Sequence, residues 1–115
     1  VFGPPRDLEE TVNRMIQLPD VFVCANDFVA IDLIRALKKQ GIRVPEDVLV
    51  TGFDNSAESR IIDPHLTTVD IPSSKMGYIA ADLLLSRIKE PDTPYRIMHV
   101  RTTLKFREST GELKL

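Results

Sequence analysis

Cysteine, histidine and glycine are all scarce in this 115-residue chain, which holds one cysteine, two histidines and five glycines. The lone Cys24 cannot close an internal disulfide, which suits a reducing compartment. It lies inside the apolar run at 21–25 and reads as a small packed hydrophobe rather than a reactive thiol. The glycines form no phosphate-cradling loop, there is no Cys-x-x-Cys pair, and the histidines His65 and His99 have no partner at metal-ligand spacing, so both read as surface residues. No apolar run approaches the roughly 20 residues needed to cross a membrane. Charge of one sign is lacking too: 15 basic against 17 acidic residues give a net charge of -2, which argues against a basic footprint for nucleic acid or an anionic membrane surface. No internal repeat, low-complexity tract or signal-like segment is present, and the first residue is Val1 rather than Met. The chain is expected to be a piece of a longer cytoplasmic protein.

What is present is an ordinary globular composition, 43% hydrophobic and 28% charged, in a length that fits one small domain or part of a larger one. Gly3, Pro4 and Pro5 predict an entry loop. Asp7 then offers an N-cap, with Leu8, Val12, Met15 and Ile16 at helical spacing until Pro19. The run at 21–25 has strand length and is apolar on both faces, as a parallel strand covered on both sides would be. Asn26 and Asp27 follow as helix caps, and Phe28, Ile31, Ile34 and Leu37 mark a helix that stops at Gly41. Val29 and Leu33 give that helix a second apolar side, more than one sheet would cover.

A second strand is expected at 47–52, which completes a right-handed βαβ unit. Residues 55–65 read as a loop or short helix, and residues 66–71 as a third parallel strand. Met76, Ile79, Ala80, Leu83, Leu84 and Ile88 line one side of a further helix ending near Pro91. The alternation of Met98, Val100, Thr102, Leu104 and Phe106 with polar residues predicts a long one-faced strand at 98–106. Residues 107–115 are polar and expected to fray. The fold class is therefore α/β, with a parallel sheet flanked by helices.

In such a sheet ligands settle at the carboxyl ends of the strands. Asn26 and Asp54 stand at two such ends and should face one crevice. Asp54 can be read either as a loop organiser or as a ligand contact; with Asn26 it would match the hydroxyls of a small polar molecule, Asn offering donor and acceptor and Asp accepting. Asp27, Asp54 and Asp70 could share the rim, yet carboxylates at strand ends also cap helices, and no metal site is assigned. No nucleophile, base and metal set for an enzyme can be assembled.

Four segments, in order, resemble the effector-binding domain of LacI/GalR-family transcriptional repressors. They are Val-Cys-Ala-Asn-Asp at 23–27, Arg-Val-Pro-Glu-Asp-Val at 43–48 leading into Gly-Phe-Asp-Asn at 52–55, Pro-His-Leu-Thr-Thr-Val at 64–69, and Arg-Glu-Ser-Thr at 107–110. Met76 and Gly77 add the matching opening of the next helix, and the resemblance covers nearly the whole chain. It implies a partial periplasmic-binding-protein-like subdomain of flavodoxin-like type, with residues 1–71 and 96–110 in the C-terminal subdomain and 72–95 as a crossover helix that packs on the N-terminal subdomain. The helix-turn-helix that binds operator DNA, the linker and the first subdomain would lie outside these residues.

The resemblance further implies a sugar-like small-molecule effector, a homodimer, no cofactor, no metal, no membrane and no catalysis. Asn26 and Asp54 resemble the effector ligands, and Asp27 a structural cap. Ser73 and Met76 lie where the cleft is often lined, and Phe2 is a candidate aromatic wall. Ile31, Ile34, Arg35, Ile61 and Ile62 correspond to the dimer surface. A fragment of a sugar-binding protein that serves transport is the alternative, which the Pro-Glu-Asp-Val and Leu-Thr-Thr-Val segments disfavour. The resemblance also implies a strand upstream of Val1 beside residues 21–25, and an unpaired edge recruits other chains. Self-association of the 115-residue chain, with segment exchange around residues 70–96, is the expected outcome; a clean monomer in light scattering would contradict it.

Overall fold

The computed structural model describes residues 5–15 and 17–111. Along the chain run α1 (Pro5–Arg14), β1 (Val21–Val23), α2 (Asp27–Lys39), β2 (Leu49–Thr51), β3 (Thr68–Asp70), α3 (Ser73–Lys89) and β4 (Thr103–Lys105), with single 3-10 turns at Glu58–Arg60 and Glu108–Thr110. Helix α1 begins at Pro5, two residues before the expected cap, because proline is preset for the first helical position. It ends at Arg14 and buries Leu8 and Val12 against α2.

Strands β1 and β2 pair in parallel with Val21 opposite Leu49, Phe22 opposite Val50 and Val23 opposite Thr51. The connection between them is α2, so the predicted βαβ unit is present. Asn26 caps α2 in an extended conformation, its side chain accepting from the Val29 N–H, while Lys38 and Lys39 complement the negative helix end. Gly41 follows at φ 74, the left-handed geometry that stops the helix. The turn into β2 is clamped by Asp47, which accepts from the Arg43 backbone at 2.8 Å and from its guanidinium at 2.9 and 2.6 Å. These bonds hold the Asp47 carboxyl down at about 2.

The core of this layer is Leu33, Ile34, Leu37, Val48, Val50 and Leu66, all fully buried. The expectation that β1 is apolar and covered on both faces needs correcting. Phe22 is buried, but Val21 is 41% and Val23 82% exposed, so among the described residues helices cover one face of the strand. Beyond β2, Thr51 bridges Thr67 in parallel, and Gly52 N–H donates to the Thr67 carbonyl at 2.9 Å. The third strand therefore lies where it was expected, with β4 paired to β3.

The predicted strand at 98–106 shortens to Thr103–Lys105, because a ladder needs a partner and β3 is only three residues long. Residues 107–110 do not fray. Ser109 and Thr110 are buried, and Gly111 closes the 3-10 turn at φ 66.

The described chain forms two compact units, one running up to Asp70 and resuming at Leu104, the other spanning Ile71–Thr103. The second unit contains α3, none of whose side chains is buried, and Leu84, Leu85 and Ile88 stand well exposed on it. Among the described residues no helix is long and apolar enough to cross a membrane.

Cys24 is buried behind β1, and desolvation raises its thiol from 9.0 to about 11. At pH 8 roughly one part in a thousand would be thiolate, so alkylation of the folded protein by iodoacetamide should lag far behind that of free cysteine. The unfolded chain ionises first, so this group's contribution to stability is complete below pH 9 and fades as pH rises towards 11. Mass spectrometry of timed alkylation, with and without urea, checks the first expectation.

Candidate functional site

Asn26 and Asp54 each lie three positions beyond a register pair, Val23 and Thr51, so the two parallel strands deliver them to the same edge of the sheet. Backbone bonds tie the two strand ends together: Cys24 N–H donates to the Thr51 carbonyl and Asp27 N–H to the Phe53 carbonyl, both at 3.0 Å.

The rim is organised by Asp27, whose side chain is fully buried. One carboxylate oxygen accepts from the Thr68 hydroxyl at 2.6 Å, the other from the Ser56 N–H at 2.7 Å. A Cβ on Gly52 would stand 2.2 Å from the first of those oxygens and 2.9 Å from a Leu66 methyl, so a hydrogen is all the space allows. Asp27 is structural, as expected, but it is not the cap. Asn26 caps α2, and Asp27 instead pins the loop after β2 and the start of β3. This leaves Asn26 with less to offer a ligand than the sequence suggested. Its Oδ1 is occupied by the Val29 N–H at 3.0 Å, and among the described residues its Nδ2 has no acceptor.

Asp54 presents the complementary acceptor. Its backbone N–H is held by the Val69 carbonyl at 3.0 Å. Its side chain is exposed and takes no hydrogen bond from any described residue. The turn is left-handed, with φ 106 at Asp54 and 52 at Asn55. Non-glycine residues with positive φ are uncommon and cluster where a site is being shaped. Asn55 tolerates this geometry and is anchored on all sides: its N–H meets the Thr68 hydroxyl at 3.2 Å, its Nδ2 donates to Asp70 at 2.8 Å, and its Oδ1 accepts from Arg107 at 2.6 Å.

The Arg-Glu-Ser-Thr segment supplies the far side of this scaffold, a role that hydropathy did not reveal. The Ser109 hydroxyl donates to the Val50 carbonyl at 2.6 Å and accepts from the Thr67 N–H at 2.8 Å, while Thr110 and Thr67 share a 2.7 Å bond. Glu108 takes the His65 N–H at 2.8 Å. Asp70 is committed to Asn55, and among the described residues no group of acidic, histidine or cysteine side chains could hold a metal ion.

The remaining candidates fall elsewhere. Ser73 and Met76 are exposed on the first turn of α3, within the second unit. Phe2 lies outside the described residues. Of the residues expected at the dimer surface, Arg35, Ile61 and Ile62 line a groove of about 360 Å³ with Phe28, Asp32 and Glu58; Ile31 also borders it but is itself buried, 5% exposed, as part of the core. Ile34 does not join them: it is fully buried in the hydrophobic core, on α2, a helix that packs against α1 and β2.

A parallel βαβ layer flanked by helices, with a polar rim at its strand ends, defines an α/β domain of the periplasmic-binding-protein-like kind. The family of the periplasmic binding protein-like domain matches residues 3–110. The repressor PurR of Histophilus somni, an HTH-type transcriptional repressor, is 35% identical over 97% of this chain and 34% of its own length. A LacI family transcriptional regulator from Enterococcus faecium with bound ribose superposes with a TM-score of 0.81 at 30% identity, covering 96% of this chain and 41% of that one. A Lac repressor dimer bound to operator and an anti-inducer gives 0.82 at 26% identity, covering 93% and 32%. The chain belongs to the periplasmic-binding-protein-like family and, within it, to the effector-binding domains of LacI/GalR-type transcriptional repressors. It spans about a third of the length of these curated relatives, and their being transcription regulators decides against the transport-protein alternative.

Replacing Thr68 by Val keeps the shape but removes the hydroxyl that serves both Asp27 and Asn55. With a buried carboxylate oxygen left unpaired, Thr68→Val should cost about 1–3 kcal/mol of stability, read as a lower urea midpoint at unchanged slope.

Proposed function

We propose that this chain is the effector-sensing and dimerising part of a cytoplasmic LacI/GalR-type regulator, and that Asn26 and Asp54 hydrogen-bond a sugar-like effector. The observation that carries this reading is the exposed carboxylate of Asp54, on a left-handed turn and without a hydrogen bond from any described residue. On the neighbouring strand end, the Nδ2 of Asn26 donates to no described residue. A donor and a charged acceptor at adjacent strand ends fit vicinal hydroxyls, and the Enterococcus faecium relative with bound ribose supports a sugar.

On this reading residues 1–71 and 96–110 form a flavodoxin-like C-terminal subdomain, and 72–95 the crossover. Ser73, Met76 and Phe2 are candidate contacts on resemblance alone. The groove of Ile31, Arg35, Ile61 and Ile62 serves a homodimer, with apolar side chains framed by charged ones, and the dimeric Lac repressor supports this arrangement. Operator DNA is bound through a helix-turn-helix elsewhere in the full-length protein. The domain performs no catalysis and needs no cofactor. Effector binding acts by favouring one of two arrangements of the repressor over the other, which is how a small ligand shifts DNA affinity.

Asp54→Ala in the full-length protein should weaken effector binding by about 1.5–3 kcal/mol, the range for a hydrogen bond to a charged group. Isothermal calorimetry against a panel of pentoses and hexoses measures it. An affinity equal to that of the wild type would remove Asp54 from the site.

A further inference from the structure

We infer that Arg107 is a positioning residue for the effector site, acting through Asn55 to hold the left-handed turn that presents Asp54. The inference rests on Asp54 being an effector contact.

Two consecutive residues with positive φ are not explained by local preference. Asn55 at φ 52 sits in the left-handed well that asparagine tolerates, but Asp54 at φ 106 lies outside it. Such geometry persists where the surroundings over-determine it. Asp54 cannot supply that constraint from its own side chain, which bonds to no described residue. Apart from the Val69 carbonyl that holds the Asp54 N–H, the constraint comes from Asn55. Its carboxamide is gripped at both ends, by Asp70 at 2.8 Å and by an Arg107 Nη at 2.6 Å, so neither its χ angles nor its peptide can turn without breaking a bond.

Arg107 is itself fixed. Its other Nη donates at 3.0 Å both to the Ser59 hydroxyl and to the Leu66 carbonyl, and its backbone N–H donates to Thr67 at 2.8 Å. One planar fork therefore spans the 3-10 turn at Glu58–Arg60, the entry to β3 and the rim turn. A lysine ammonium, a single point on a flexible stem, cannot serve all three. Asp70 balances the guanidinium charge from the other end of the same carboxamide.

Amide hydrogen exchange in the full-length protein tests this without any ligand. In Arg107→Lys, exchange at Asp54 and Asn55 should accelerate about tenfold or more, while the amides of Cys24 and Ala30, bonded within the βαβ unit, stay within about twofold of wild type. Unchanged exchange at the turn, or an equal rise across the whole fold, overturns the assignment. Should Arg107→Lys fail to fold, Asn55→Gly keeps the freedom for positive φ and deletes the grip, with the same expectation.

Calorimetry with D-ribose as the probe adds a cycle that a purely structural role would not satisfy. Arg107→Lys should weaken binding about tenfold in the wild-type background and cause no further loss once Asp54 is Ala. Additive losses overturn the positioning role and leave the site standing. Ribose affinity unaffected by Asp54→Ala instead refutes the site, while the exchange measurement still judges the grip.

Discussion

A carboxylate without solvent has to be surrounded by donors, and in this domain that requirement falls on Asp27. The Thr68 hydroxyl and the Ser56 N–H meet it, and in doing so they draw the end of β1, the loop after β2 and the start of β3 to one point. Gly52 is the corollary, since no side chain fits between that carboxylate and Leu66. The apolar core beneath sets how the helices and strands stack. The buried acid sets where the strand ends stop.

Thr68 joins this cluster to a second one. Its hydroxyl donates to Asp27 and accepts from the Asn55 N–H, so the network of Asn55, Asp70 and Arg107 begins where that of Asp27 finishes. Ser109 and Thr110 extend the bonding to Val50 and Thr67, at the centre of the sheet. A segment remote in sequence thus braces the rim from behind, and polar side chains rather than apolar ones make the connection. Satisfied networks of this kind are stiff, because each member would leave a partner unpaired on moving.

Hydropathy and turn chemistry made the βαβ unit readable: the run at 21–25, the stripe of Ile31, Ile34 and Leu37, and the halt at Gly41 all lie where expected. Asn26 and Asp54 could be placed on a common edge for the same reason. The roles of Asn26 and Asp27 were harder to separate, since both residues cap helices well, and only three-dimensional placement shows which one faces the helix and which the interior. The family resemblance sent Ile31 and Ile34 to the dimer surface, although both belong to the buried core, as their place in the apolar stripe implies. Periodicity over-extended the strand at 98–106, where alternation was present but a pairing partner was not. The burial of Ser109 and Thr110 was invisible because their environment is built from hydrogen bonds, for which a polar sequence and a frayed tail look alike.

With Asp54 as the proposed effector contact, the left-handed turn at Asp54 and Asn55 separates what the fold requires from what recognition would require. Gly52, two residues earlier, admits no alternative, whereas the Asp54 side chain bonds to no described residue and sits on a backbone that glycine would adopt more comfortably. Selection for stability alone would drift away from aspartate at this position. On the proposed assignment, a change of ligand could be made at that side chain while the scaffold stays intact, so divergence in specificity would meet little resistance from folding.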